Sequence, residues 1–208
     1  MNNLYIVGAG GLGREIESWF DLFSEDKDNF RIVGYLDDNP NALNGFSSNY
    51  KVIGRISDYE FNKNDWVVLA ISNPLTKERV YVELFNKVKF YTFISKNVII
   101  GKFVEIGEGS IILANSIIST NVKIGKCVII NIGSQIGHDV SIGDFCSLMP
   151  NVDLGGGVSL NKKVFVGSNA TIIPQVYIAD NVKIGAGSIV IRKILKSQTV
   201  FGNPAKKI

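Results

Sequence analysis

An unbroken six-residue period constrains the second half of this chain more than any other feature of the sequence. Starting at Ile94 and stepping by six, every residue as far as Val190 is aliphatic: Ile94, Ile100, Ile106, Ile112, Ile118, Ile124, Ile130, Ile136, Ile142, Leu148, Leu154, Leu160, Val166, Ile172, Ile178, Ile184 and Val190. The residue four places after each is nearly always small or β-branched, as at Val98, Ser110, Ser134, Cys146, Ala170 and Val182. This is the pattern of a parallel β-helix. Each six-residue unit makes one face, three units make one coil, and the aliphatic residue points into the prism and stacks on its equivalents above and below. The seventeen units give between five and six coils. A slip of one residue would turn the aliphatic side chains to solvent, so the register is tightly specified. Glycines such as Gly101, Gly107, Gly125, Gly137, Gly143, Gly155, Gly167 and Gly185 fall one place after the aliphatic position. They are expected to supply turn conformations that cost other residues more. Residues 91–208 are therefore expected to form a left-handed parallel β-helix with a C-terminal tail. Its flat sides bury surface best by packing side by side, so a homotrimer is the expected assembly.

Residues 1–90 follow another rule, in which short apolar runs alternate with amphipathic stretches. Leu4–Val7, Arg31–Leu36, Val52–Gly54 and Trp66–Ile71 are predicted strands. A helix is predicted from Gly13 to about Phe23, with Ile16, Trp19, Phe20 and Phe23 at helical spacing; a second opens at Pro74 and carries Val80, Leu84 and Val88. Strand–helix alternation implies a small Rossmann-like α/β domain with a parallel sheet.

Composition narrows the function classes. The formal charge is +3, with no basic tract of the kind that tracks nucleic acid. No apolar run approaches the ~18 residues that span a bilayer, and the N-terminus lacks the pattern of a secretory signal. Cys127 and Cys146 make neither a metal-binding spacing nor a disulfide framework. A cytoplasmic enzyme without a metal is expected.

Few residues offer chemistry. His138 is the one histidine of the chain. It lies two places after an inward aliphatic residue and should project outward, where an imidazole can take a proton from an attacking amine or hydroxyl. Asp139 follows it as a possible partner for the other ring nitrogen, although adjacent residues on an extended segment usually face apart. Gly156, in the middle of Gly155-Gly156-Gly157, is eighteen residues beyond His138 and so one coil above it. Glycine there leaves room for a thin thioester arm, and a backbone N–H there can hold an oxyanion; a flexible corner is the plainer reading. Asn131 is either a ligand to the acceptor group or a turn-forming asparagine. The tail residues Arg192, Lys193, Lys196, Lys206 and Lys207 either meet phosphates or are solvated charge. Near the N-terminus, Gly8-Ala9-Gly10-Gly11-Leu12-Gly13 follows a strand and opens a helix, the setting in which a diphosphate is cradled. Asp37 and Asp38 end the next strand, where dinucleotide enzymes place a ribose-binding acid. The motif alone would allow NAD. About ninety residues leave no room for a second mononucleotide half, however, and one nucleotide diphosphate fits better, so NAD is not expected. Ser72 and Asn73 should reach the same sheet edge.

The glycine loop, Tyr35-Leu36-Asp37-Asp38, Ala70-Ile71-Ser72-Asn73, the hexapeptides, His138-Asp139 and the closing Gly202-Asn203-Pro204-Ala205-Lys206 together resemble the NeuD/PglD family of bacterial sugar acetyltransferases. The resemblance runs the whole length. It implies a nucleotide-sugar on the N-terminal domain, with Gly8, Gly10, Gly11 and Leu12 near the diphosphate and Asp37 and Asp38 near the base and ribose. It implies His138 as general base supported by Asp139, and Asn131 at the acceptor. It implies acetyl-CoA between two subunits near Ser147, Gly156, Ser168 and Ala186. Leu12 and Ser147 stand where some members carry histidine. The implied reaction is acetylation of the amino group of a nucleotide-linked deoxyamino sugar for surface glycans. O-acetylation of a sugar hydroxyl and an inactive binding module are the alternatives.

Overall fold

The computed structural model describes residues 1–23 and 28–208. The N-terminal domain has a five-stranded sheet built from β1 (Asn2–Val7), β2 (Phe30–Leu36), β3 (Val52–Gly54), β4 (Asp65–Leu69) and β5 (Lys89–Phe90), in the order β3-β2-β1-β4-β5. All neighbours are parallel. Helix α1 (Gly11–Phe23) joins β1 to β2, and α2 (Pro74–Leu84) joins β4 to β5. Central strands β1 and β4 are covered on both faces, which is why they read as continuous apolar runs. Ile16 and Phe20 are buried on the inner face of α1 and Trp19 packs at its margin; the side chain of Phe23, also expected on that face, lies outside the described residues.

Helix α2 stops earlier than its spacing suggests. Asn86 adopts a left-handed φ of 67°, and Val88 lies beyond the helix, just before β5. The short strand β5 was missed for that reason, since Val88 at i+4 from Leu84 fits a helical face as well as it fits a strand approach.

From Phe93–Ile94 onward, seventeen two-residue strands wind a left-handed parallel β-helix. Each pairs in parallel with the strand eighteen residues away, as Gln135 with Ile117 and Asp153. Face one runs from Ile99–Ile100 to Ile189–Val190, face two from Glu105–Ile106 to Tyr177–Ile178, and face three from Phe93–Ile94 to Lys183–Ile184. Face three continues into Thr199–Phe201, which turns back through an antiparallel partner, Lys206–Lys207. The tail thus ends in a hairpin. The second and sixth positions of each unit, counted from the first strand residue, fill the prism with one continuous apolar core. Where the small inward residue is polar it is satisfied: Ser110 Oγ donates to the Gly125 carbonyl at 2.9 Å and accepts from Val128 N at 3.0 Å.

The glycines after the aliphatic residues serve a purpose other than the expected one. None of them has a positive φ. A Cβ at Gly107 would stand 2.5 Å from the carbonyl carbon of Gly125, and at Gly143 2.7 Å from that of Asn161. These glycines are required because the backbone of the next coil lies against them. The left-handed residue comes two places later, at Phe103, Asn115, Asn121, Cys127, Asp139, Phe145 and their equivalents, with φ between 49° and 70°.

The N-terminal domain packs on face three. Phe93, Ile111, Leu113 and Ile129 share an apolar cluster with Leu4, Ile6, Leu12, Ile16 and Phe20. Helix α2 follows the corner between faces two and three: Tyr81 and Leu84 pack with Cys127 and Phe145, Tyr81 Oη donates to Glu108 at 2.9 Å, and Lys163 pairs with Glu78 at 3.0 Å.

Candidate active site

His138 and Asp139 occupy the corner between faces one and two, which is the corner opposite the face that carries the N-terminal domain. Their side chains are 63% and 58% exposed. Asp139 takes φ 61°, so the chain turns sharply there and the two neighbours meet instead of facing apart. His138 Nδ1 lies 2.7 Å from Asp139 Oδ2. The carboxyl of Asp139 is held below its usual range by that hydrogen bond first and by one from Asn121 second. An ionised carboxylate only accepts, so in the neutral ring this contact puts the proton on Nδ1 and leaves the lone pair on Nε2.

Gly156 stands directly over the ring. A Cβ there would be 2.6 Å from His138 Nε2, so this glycine makes room for the imidazole itself. Of the triplet's amides, Gly155 N–H donates to the Ile172 carbonyl at 2.9 Å and Gly157 N–H to the His138 carbonyl at 2.8 Å. Gly156 N–H has no protein acceptor among the described residues. A ring nitrogen and a free backbone donor thus lie side by side on one corner, the two kinds of group that acyl transfer through a tetrahedral intermediate needs.

The other expected residues fall elsewhere. Asn131 lies at the corner between faces three and one, is 8% exposed, and spends its side-chain oxygen on Ile132 N–H at 2.7 Å. That bond is the turn-forming use of asparagine, and Asn131 and His138 sit on different corners of one chain. Ser168 and Ala186 are stacked on the same corner as Asn131, one coil apart, with Gly187 N–H bonded to the Ser168 carbonyl at 2.8 Å. Ser147 corrects the expectation of a coenzyme contact: it is fully buried beneath α2 and accepts from Lys77 Nζ at 2.7 Å, because the outward side of face three is covered by the N-terminal domain. Leu12 turns its side chain, 8% exposed, into the core of the N-terminal domain, so only its backbone is left at the glycine loop.

At the other candidate site, the glycine loop, Asp37-Asp38 and Ser72-Asn73 follow the adjacent ends of β1, β2 and β4 and form one edge. Gly8 closes the turn at φ +100°, with Ala70 O where a side chain would begin. Gly10 and Gly11 border open space, so phosphates can approach the start of α1 there. Asp37 fastens the loop: its Oδ2 accepts from Ala9 N–H at 2.8 Å and its Oδ1 from Asn39 N–H at 2.9 Å. Asp38 is exposed. Ser72 is half-buried, and Asn73 caps α2 by accepting from Leu75 and Thr76 N–H, both at 3.0 Å. Arg14, which the sequence reading passed over, adds a cation beside the loop; its guanidinium lies 3.7 Å from the Phe46 ring centroid and donates to Ala9 O at 3.3 Å.

At the far end of the prism, Arg192, Lys193, Lys206 and Lys207 surround a cavity of about 270 Å³ whose floor is Val190, Ile194, Val200 and Ala205. Arg192 is in the same corner column as His138, Gly156 and Pro174, three coils above the histidine. Burial pushes the thiols of Cys127 and Cys146 up to about 12, which removes both as nucleophiles near neutral pH. Among the described residues no cluster of histidine, cysteine and carboxylates has the arrangement of a metal site, and no helix is long and apolar enough to cross a membrane.

Comparison with known proteins gives the architecture a lineage. Residues 3–84 match the model of the PglD N-terminal domain, and residues 157–192 match that of the bacterial transferase hexapeptide (six repeats). No curated protein gives a significant sequence match. Among solved structures, the acetyltransferase domain of PglB from Neisseria gonorrhoeae superposes with a TM-score of 0.89 at 22% identity, covering 100% of both chains. PerB from Caulobacter crescentus, solved with CoA and GDP-perosamine, gives 0.88 at 24% identity over 100% of this chain and 98% of that one. WeeI from Acinetobacter baumannii gives 0.84 at 28% identity over 99% of each. The chain thus joins a domain of the PglD N-terminal type to a β-helix of the bacterial transferase hexapeptide type, the same two-part architecture as these acetyltransferase structures.

Proposed function

We propose that the protein transfers an acetyl group from acetyl-CoA to the amino group of a nucleotide-linked deoxyamino sugar, in the cytoplasm, with His138 as general base. The observation that carries this reading is the pairing of His138 Nε2 with the free Gly156 N–H on one corner, with Asp139 fixing the ring from the other side. The amine nitrogen attacks the thioester carbonyl and passes its proton to Nε2; Gly156 N–H holds the oxyanion. Collapse breaks the C–S bond, and the thiolate leaves with a proton from the imidazolium. The solved structure of PerB with CoA and GDP-perosamine supports the substrate class.

The coenzyme would lie along the corner column. Three coils at ~4.8 Å each carry the thioester end at His138 some ~14 Å up to the basic cavity at Arg192, where the phosphates would meet Arg192, Lys193 and Lys206. Arg14, Gly10, Gly11 and Asp38 would receive the nucleotide diphosphate and ribose. Because the nucleotide edge sits on face three and His138 on the opposite corner, a sugar bound by one chain would be acetylated by the histidine of another. A homotrimer, with Asn131, Ser168 and Ala186 of one copy beside His138 of the next, satisfies that requirement.

The test is thiol release from acetyl-CoA with a panel of UDP-, dTDP- and GDP-linked amino sugars and free sialic acid. Release with one amino sugar is expected, and His138→Ala is expected to lower turnover by ~10²–10⁴-fold. Release with sialic acid alone would replace N- by O-acetylation, and full turnover by His138→Ala would refute the base.

A further inference from the structure

Every position of the β-helix has an equivalent eighteen residues away, and for Asp139 that equivalent is Asn121, one coil below. Asn121 has φ 58° and Asp139 φ 61°, so both side chains leave the corner in the same direction. Asn121 Nδ2 donates to Asp139 Oδ1 at 3.2 Å, while Asp139 Oδ2 faces His138 Nδ1 at 2.7 Å. The backbone beneath is fixed as well: Asp139 N–H donates to the Thr120 carbonyl, and Asn121 N–H to the Lys102 carbonyl, both at 3.1 Å.

This arrangement answers a mechanical problem. A carboxylate that is 58% exposed and held through one oxygen can swing about its Cβ, and water then competes for the imidazole. Bonding the second oxygen fixes the plane of the carboxylate. Asparagine recurs at this turn position, at Asn115, Asn151, Asn169 and Asn181, because it tolerates the left-handed conformation. Asn121 differs in having its amide directed at a carboxylate that itself holds the histidine. The remaining charged side chains in these two corner columns are Lys102, Arg192 and Lys193, and among the described residues none of them is bonded to Asp139.

We propose that Asn121 is a positioning residue: it locks the Asp139 carboxylate so that His138 keeps its proton on Nδ1 and presents a bare Nε2 to the acceptor. The inference rests on His138 as the base for its catalytic meaning. It does not need the substrate to be known, because the assignment concerns one imidazole that can be observed directly.

The experiment is nuclear magnetic resonance of the single histidine in the intact protein, labelled with ¹⁵N in the ring. The nitrogen shifts above its titration report which nitrogen holds the proton. Asn121→Gly removes the amide and suits the left-handed turn, so the fold is preserved; circular dichroism and thermal unfolding verify this. The wild type is expected to be mainly the Nδ1–H form. Asn121→Gly is expected to move the population toward Nε2–H, and Asp139→Ala to move it further. In the Asp139→Ala background, Asn121→Gly should have no additional effect, since it acts only through the carboxylate. With an acceptor that the wild type uses, kcat of Asn121→Gly should fall roughly tenfold with KM unchanged. A tautomer ratio in Asn121→Gly equal to the wild type, or an equal shift with and without Asp139, would overturn the assignment. His138→Ala turnover is read in parallel. If it stays at the wild-type level while the tautomer moves, the base reading fails and the positioning contact stands; if it collapses while the tautomer is unmoved, only the Asn121 assignment fails.

Discussion

Lys77 gives the strongest quantitative prediction. It lies in α2, is fully buried, and donates to Ser147 Oγ at 2.7 Å and to the Cys146 carbonyl at 3.0 Å. The groups facing it are that hydroxyl, that carbonyl and the thiols of Cys146 and Cys127; among the described residues no carboxylate pairs with its charge. Burial pushes its ammonium down to about 7 from 10.5. Between those values the unfolded chain holds a proton that the folded chain has released. Stability must therefore rise with pH across that window, and the full penalty of the buried charge applies below pH 7. Integrated from pH 6 to pH 9, this one group contributes about 3 kcal/mol of added stability. Lys77→Met keeps the stem and removes the titration. It leaves two acceptors unmet at a cost of ~1–3 kcal/mol at every pH. At pH 9 the variant should be the less stable protein by that amount, and at pH 6 it should equal or exceed the wild type. Urea denaturation followed by fluorescence of Trp19 and Trp66 at the two pH values measures the difference. A gap between wild type and Lys77→Met that is the same at pH 6 and pH 9 would refute the reasoning, since it would mean that Lys77 keeps its charge in the fold at no cost.

Two further substitutions separate chemistry from architecture. Gly156→Ala places a methyl 2.6 Å from His138 Nε2, and the ring, being the free end of a side chain, can rotate away. The fold should persist with an unchanged melting temperature while kcat drops by ~10–10²-fold; wild-type turnover would show that the ring does not work from this position. Gly107→Ala meets backbone at 2.5 Å from the Gly125 carbonyl carbon and 2.7 Å from Lys126 N, neither of which can yield without separating two coils. A loss of ~1–3 kcal/mol is expected in thermal unfolding, and an unaltered melting temperature would contradict the close-approach account of these glycines.

Much of this was legible from the residues alone. The aliphatic positions from Ile94 to Val190 determine the β-helix, because a six-residue period places each of them in the same environment and offers no competing register. The strand–glycine–helix opening determines the parallel sheet, and a lone histidine marks the corner to examine. Even Asn121 was within reach, since it sits eighteen residues before Asp139. The contact of His138 with Asp139 could be offered from the sequence but not decided there, because it depends on the left-handed φ of Asp139, and aspartate at a turn position does not announce which way its side chain leaves. Leu12, Ser147 and Lys77 were decided by tertiary structure alone. Each looks locally like a loop, strand or helix residue open to solvent, and each is buried because the N-terminal domain packs on face three. Periodicity reports which side of an element faces its own core. It carries no information about which outer face a second domain will cover, and that choice fixes which residues are left for a ligand and which become part of an interior.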